Sequence, residues 1–336
     1  MSKRFLFYTT LKKPLGDLRG GIILVTSMVL FAISIAAQQG WTKISSLKQN
    51  DQPATINAVF YDGDNLWLVG ADGLVMRSTD DGRNFNEVDV GVKEGLNDVF
   101  ARKDRIWIVG DGGLIVSSTD KGKSFSKTTY DANRKGLSVP QDKTLDLYSV
   151  EFESNDEGYI VGDEGLIIHT TDGGRNWLFQ ASGTKAQLFH LSFLKDEGWI
   201  VGTGGMILHT NDGGQSWYPQ RSGVDVDLNR VFFINDKVGL VTGDKGTLLR
   251  TDSAGSIWQK VETGIQEPLF GISFLDKKTG WVVGYQGRVI RTYDAGLHWV
   301  DQVSNTTIDL FSVSFRDNHG FAIGRDGVVM RYFEKR

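Results

Sequence analysis

Apolar and polar residues alternate along most of the chain in short runs. Leu188-Phe-His-Leu-Ser-Phe193 and Leu269-Phe-Gly-Ile-Ser-Phe274 are examples, and their period of two predicts strands with one face against a neighbour. Each such run is followed by a second apolar run, as in Gly198-Trp-Ile-Val-Gly202, then a glycine-rich turn and a third run, as in Gly205-Met-Ile-Leu-His209. A fourth strand is expected to start at the aromatic residue of the motif that follows. The whole pattern then returns. A Val/Thr/Ile-Gly step recurs at Gly70, Gly110, Gly162, Gly202, Gly243, Gly284 and Gly324, at spacings of 40, 52, 40, 41, 41 and 40 residues. Seven units of about 40 residues, each with four short strands, predict an all-β fold, a seven-bladed β-propeller.

The motif between the third and fourth strands is Ser/Thr-x-Asp-x-Gly-x-x-Trp/Phe, an Asp box. It is complete at Ser78–Phe85, Ser118–Phe125, Thr170–Trp177, Thr210–Trp217 and Thr292–Trp299, and degenerate in the fifth unit, where Ser253 replaces the Asp. The Asp caps backbone N–H groups of its own hairpin, the Gly permits positive φ and the aromatic anchors the turn. These aspartates therefore read as scaffold, one per turn, and not as catalytic groups.

The seventh unit ends at Val329-Met-Arg-Tyr-Phe333 without a fourth strand, whereas Gly40-Trp41-Thr42-Lys43 resembles the end of a unit. Trp41 to Ile44 is thus expected to supply the outer strand of the last blade, closing the ring and covering an open edge. The propeller is expected over 41–336. The one irregular spacing reflects about 12 extra residues around Thr128 to Thr144, polar and turn-rich. They form either a tolerated insertion or a partner-contacting loop.

Ahead of the propeller, residues 1–19 form a basic leader, and Gly20 to Ala37 is an 18-residue run without charge. The pair reads as a signal anchor or a signal peptide, with one hydrophobic helix expected over 20–37. Either way the propeller is exported, to a periplasm or an equivalent lumen. It is membrane-associated if the run is not cleaved, since the basic leader favours a cytoplasmic N-terminus. From residue 41 onward there are 32 basic and 40 acidic residues, a balance of about -8. That argues against tracking a phosphate backbone, so no nucleic-acid partner is expected. The chain has 41 glycines, five prolines and no cysteine. The last excludes disulfides, thiolate metal sites and a lipid-bearing cysteine.

Candidate chemistry is sparse. The histidines, His169, His190, His209, His298 and His319, contain no close pair at metal-ligand spacing, and no metal or cofactor is indicated. Gly122-Lys-Ser124 echoes a phosphate-binding loop but belongs to an Asp-box turn. Asp72, Asp111, Asp163, Glu164, Asp244 and Asp326 occupy the turns after the second strands, where they either ring one mouth of the channel as a site for a cation or basic peptide or serve as ordinary turn residues. Asp boxes also occur in glycosidases. The Arg-Ile-Pro signature of sialidases is absent here, and no catalytic residue is assigned.

Trp-x-Val-Gly, Gly-x-Ile-Leu-x-Thr and Thr-x-Asp-Gly-Gly-x-x-Trp together resemble the photosystem II stability and assembly factor family, over residues 41 to 336. The resemblance implies a lumenal or periplasmic propeller without catalysis that binds a membrane-protein client, in part through an arginine-rich patch, and so aids the assembly or stability of a membrane complex. In this chain the position before each Asp-box Ser/Thr reads Arg77, Ser117, His169, His209, Arg250, Arg291 and Arg331. The candidate partner-binding residues are thus Arg77, His169, His209, Arg250, Arg291 and Arg331, set against a reading in which they are solvated strand positions. The missing lipoprotein cysteine departs from the cyanobacterial pattern. A periplasmic accessory role beside a transporter of the resistance-nodulation-division type is the alternative, and an Asp-box glycosidase a minor one.

Overall fold

The computed structural model describes residues 40–128, 130 and 144–333. Over these residues seven four-stranded antiparallel sheets follow one another, and a two-stranded hairpin, Lys48–Gln49 with Gln52–Pro53, precedes the first complete blade. Blade 4 shows the common plan. Its inner strand is Leu188–Leu194, its second Glu197–Gly202, its third Ile207–Thr210 and its outer strand Tyr218–Gln220. The outer strand starts one residue beyond the Asp-box tryptophan. The hydrophobic helix expected over 20–37 and most of the 128–144 insertion lie outside the described residues.

Blade 7 is closed from the other end of the chain. Its inner strands Leu310–Arg316, His319–Gly324 and Val328–Phe333 are completed by Gly40–Ser46, which pairs with the third from Gly40 opposite Phe333 to Ser46 opposite Val328. The expectation from Trp41 is met, and the strand runs two residues further than the sequence suggested.

The recurring glycine has a close-approach role that its extended φ conceals. A Cβ on Gly70 would lie 2.0 Å from the Thr55 carbonyl oxygen, and one on Gly202 would lie 1.9 Å from that of Gln187. These carbonyls sit just before the inner strand, and each accepts the N–H of the residue after the glycine, at 3.1 Å for Ala71 and 3.0 Å for Thr203. The same bond recurs in all seven blades. It ties the second strand to the entry of the inner one, beside a bulge between Leu188 and His190 and at each equivalent place.

The core lies between blades. An aromatic from one second strand stacks on the phenylalanine of the next inner strand: Trp107 on Phe152 at 3.6 Å, Tyr159 on Phe193 at 4.2 Å, Trp199 on Phe233 at 3.4 Å and Trp281 on Phe315 at 3.9 Å. The Asp-box tryptophan of the same blade meets that phenylalanine edge-on, as Trp177 meets Phe152 and Trp217 meets Phe193. In blade 7 the edge-on ring is Trp41, 5.8 Å from Phe315 at 86°. Trp41 therefore fills by tertiary packing the place that the other tryptophans fill from within their own hairpins.

Candidate functional site

Two polar systems emerge, one on the side of the Asp boxes and one inside the channel. In the Asp boxes the hydroxyl of residue one and the carboxylate of residue three divide the work. Thr170 Oγ1 donates to Asp172 Oδ1 at 2.9 Å and accepts the Gly174 N–H at 3.0 Å, while Asp172 Oδ1 accepts the Asn176 N–H at 2.9 Å. The side-chain amide of Asn176 and then its backbone N–H hold the Asp172 carboxyl down at about 2. In the degenerate fifth box Ser253 Oγ accepts the Ile257 N–H at 3.2 Å, so the turn persists. These carboxylates are committed to their own turns.

The six candidate partner-binding residues share one register position. Each pairs across the sheet with the second-strand residue that reaches the next blade: Arg77 with Trp67, His169 with Tyr159, His209 with Trp199, Arg250 with Leu240, Arg291 with Trp281 and Arg331 with Phe321. The guanidinium of Arg77 lies 4.9 Å from the Trp67 ring and that of Arg291 4.5 Å from Trp281. His169 stacks on Tyr159 at 4.4 Å and His209 on Trp199 at 5.2 Å. Such cation–π and stacking contacts favour the half-buried setting.

Hydrogen bonds carry the band onward to the following Asp-box turn. Arg77 Nη1 donates to the Lys121 carbonyl at 3.2 Å, Arg250 Nε to the Ala295 carbonyl at 3.0 Å, and Arg331 Nη2 meets Asp81 Oδ2 at 3.1 Å. The neighbours do likewise: Trp107 Nε1 donates to the Gly173 carbonyl and Tyr159 Oη to that of Gly213. His169 and His209 pair instead within their blades, with Glu157 at 3.2 Å and Glu197 at 2.5 Å. Burial pushes the His169 imidazole below its usual range despite Glu157. Arg291 and Arg331 are only 6% and 7% exposed, so the band is a seam between blades as much as a face toward solvent.

On the opposite side the acidic turns are partly consumed by the inner strands. Asn97 Nδ2 donates to Asp111 at 3.0 Å, Tyr148 Oη to Asp163 at 2.8 Å and Asn229 Nδ2 to Asp244 at 3.3 Å. This favours their role as structured turns. Among the described residues no group of three or more side chains is arranged to hold a metal ion.

The channel holds residues that were not singled out from sequence. Two positions after the leucine or isoleucine that opens each inner strand, the ring reads Ala58, Asp98, Ser149, His190, Arg230, Gly271 and Ser312. Two residues further on it reads Phe60, Phe100, Glu151, Ser192, Phe232, Ser273 and Ser314. Asp98 Oδ2 accepts from Ser149 Oγ at 2.9 Å and from the Val150 N–H at 3.1 Å. Arg230 Nη1 reaches past Gly271 to donate to Ser312 Oγ at 3.2 Å. Burial pushes the Glu151 carboxyl up to about 8 and raises that of Asp98. The available signal was a charged residue at a register position that most repeats fill with a small one.

Ring closure, inter-blade aromatic stacks and hydroxyl–carboxylate turns define a seven-bladed Asp-box β-propeller. A family model described as photosynthesis system II assembly factor YCF48 matches residues 33–140, 131–222 and 251–334. The chain belongs to that family. The photosystem II assembly lipoprotein Ycf48 of Synechococcus sp. (strain CC9902) is 44% identical over 45 residues, a match spanning 13% of the chain and 13% of that relative. YCF48 from Cyanidioschyzon merolae superposes with a TM-score of 0.70 at 19% identity, covering 88% of this chain and 98% of that one. A YCF48 bound to D1 peptide gives 0.72 at 19% identity over 89% and 96%. A virginiamycin B lyase from Staphylococcus aureus gives 0.71 at 12% identity over 87% and 98%, so likeness at this level establishes the propeller fold alone.

Proposed function

We propose that this chain is a non-enzymatic scaffold that holds a photosystem II subunit during assembly, on the exported side of a membrane. The observation that carries this reading is the YCF48 family match across most of the propeller. A relative solved with D1 peptide supports a membrane-protein client. The organisation that goes with it is a basic leader at 1–19, an anchor or signal at 20–37 and the propeller from 41 onward. No observation favours the transporter accessory or the glycosidase over it.

Within this reading the contact surface is the band of Arg77, His169, His209, Arg250, Arg291 and Arg331, met from the Asp-box side, where the first four are half-buried. Its cationic and aromatic character suits an acidic or carboxylate-ended peptide. Affinity capture of the tagged chain from gently solubilised native membranes tests the class, with photosystem II subunits expected and a transporter in their place overturning it. Titration with D1 peptide tests the surface. Arg77→Gln and Arg250→Gln are expected to weaken binding at least tenfold while the variants stay folded, and unchanged affinity removes the band.

A further inference from the structure

The inner strands enclose a cavity of about 380 Å³, with another of about 200 Å³ above it toward the second-strand turns. Asp98, His190 and Arg230 line both cavities, so they form the tier that separates them. The polar capacity of this tier is unevenly spent. Asp98 is satisfied locally, its Oδ1 accepting the Val99 N–H at 3.0 Å and its Oδ2 the two donors of blade 3. The Arg230 guanidinium, by contrast, donates to one neutral acceptor, Ser312 Oγ, and among the described residues no carboxylate lies within ion-pair distance of it, although the Asp98 charge acts on it from farther away. A guanidinium carries five N–H donors, so most of them remain for a partner within the cavities that Arg230 lines.

Two more groups point the same way. His190 Nδ1 is buried without a hydrogen-bond partner, and its ring lines the same cavities. Glu151, one tier below, accepts the Phe193 N–H at 3.3 Å. Burial keeps it protonated at neutral pH, so its carboxyl offers an O–H. The absent side chain at Gly271 lets the inner strands of blades 6 and 7 approach closely, since a Cβ there would lie 3.1 Å from the Ser312 Cα. Phe60, Phe100 and Phe232 wall the lower cavity. The tier is thus rich in donors and poor in free acceptors, with its donors at positions that are only half-buried.

We propose that the central channel is a binding site for a small carboxylate, held by the Arg230 guanidinium with His190 and Glu151 as further hydrogen-bond partners. The planar fork of an arginine matches the two oxygens of a carboxylate, and such bidentate pairs are stronger than neutral hydrogen bonds. This site is separate from the Asp-box face, and its occupation does not depend on what client the propeller holds.

Saturation-transfer NMR on the full chain, with formate and acetate as the probes, reads the site directly. The wild type is expected to give a saturable signal. Arg230→Gln should weaken it at least tenfold, and Arg288→Gln, on a rim arginine paired with Asp301, should leave it unchanged. Ser192→Leu narrows the lower cavity without removing charge and should weaken the signal even if the Arg230 variant does not fold. No saturable transfer to the folded wild type overturns the proposal, as does an unchanged signal in the folded Arg230 variant or in the Ser192 variant. Full displacement by equimolar chloride also overturns it, because the tier would then attract any monovalent anion.

Discussion

Replacing Trp41 by alanine isolates what ring closure contributes. The indole is 3% exposed, tilted on Tyr332 at 5.4 Å and edge-on to Phe315 at 5.8 Å. Truncating a buried tryptophan costs roughly 3–5 kcal/mol through lost transfer and the cavity left behind. Trp177→Ala is the matched control, since Trp177 is 1% exposed and meets Phe152 in the same geometry. The local loss is therefore about equal. Trp177, however, sits within a hairpin whose Asp box keeps the outer strand in place, whereas Gly40–Ser46 is joined to blade 7 only by pairing and packing. Trp41→Ala should therefore cost more, by on the order of 1–2 kcal/mol, as pairing over Val328–Phe333 frays. Urea unfolding gives the difference, and hydrogen exchange locates it: amides of 328–333 should lose protection in Trp41→Ala and keep it in Trp177→Ala. Equal unfolding free energies with 328–333 still protected would refute the closure argument.

Other positions give sharper local tests. Glu151 is protonated in the fold up to about pH 8, against a usual 4.5. Its stabilising share is thus complete below pH 4.5 and is lost as pH rises toward 8; Glu151→Gln should remove a decline of about 3–5 kcal/mol between pH 5 and 9, read from urea midpoints at both ends. Gly202→Ala should prevent folding or cost more than about 3 kcal/mol, because its Cβ would lie 1.9 Å from the Gln187 carbonyl. Gly183→Ala, at φ +72 with nothing within 4 Å, should cost only about 1 kcal/mol. Ser253→Asp restores the carboxylate of the fifth box and should raise stability by about 0.5–1 kcal/mol, the yield of one further hydrogen bond; a lower thermal midpoint would show that this turn has adapted to serine.

The repeat made the architecture legible because each unit states the same pattern, so errors in one unit are corrected by six others. The closing strand was legible for the same reason: Trp41 is a misplaced copy of a residue seen at Trp177 and Trp217. What a repeat cannot state is the third dimension of a shared position. The glycine at the end of the second strand was legible only as the marker of the repeat, yet its role is to let the carbonyl before the inner strand approach. The band of arginines and histidines was visible as a column, but its half-buried setting depends on the second-strand aromatics it stacks upon. The channel tier went unnoticed because Asp98, His190 and Arg230 differ from blade to blade. They meet only when the ring closes, and no spacing along the chain brings them together.

That difference between shared and variable positions bears on how client binding is to be measured. A residue repeated in every blade serves the blade, and the band does so through contacts with the next Asp-box turn, as Arg331 shows with Asp81 at 3.1 Å. A client that competes for such a guanidinium draws on the same hydrogen bonds that couple one blade to the next. Reversing the charge at Arg291 or Arg331, both nearly buried, places a carboxylate against aromatic rings, a change that costs stability before it touches any client. Loss of binding in those variants is then informative only beside an unfolding curve. Neutral changes at Arg77 and Arg250 avoid this, because each leaves the paired strand intact and costs about 1 kcal/mol per hydrogen bond lost, the one to the Ala295 carbonyl for Arg250 and those to the Lys121 carbonyl and Asn65 Oδ1 for Arg77. If client capture falls with those two by more than this loss of stability accounts for, the seam is also a binding surface. If capture falls only as far as the folded fraction does, the seam is structural and the client is held by residues that vary between the blades.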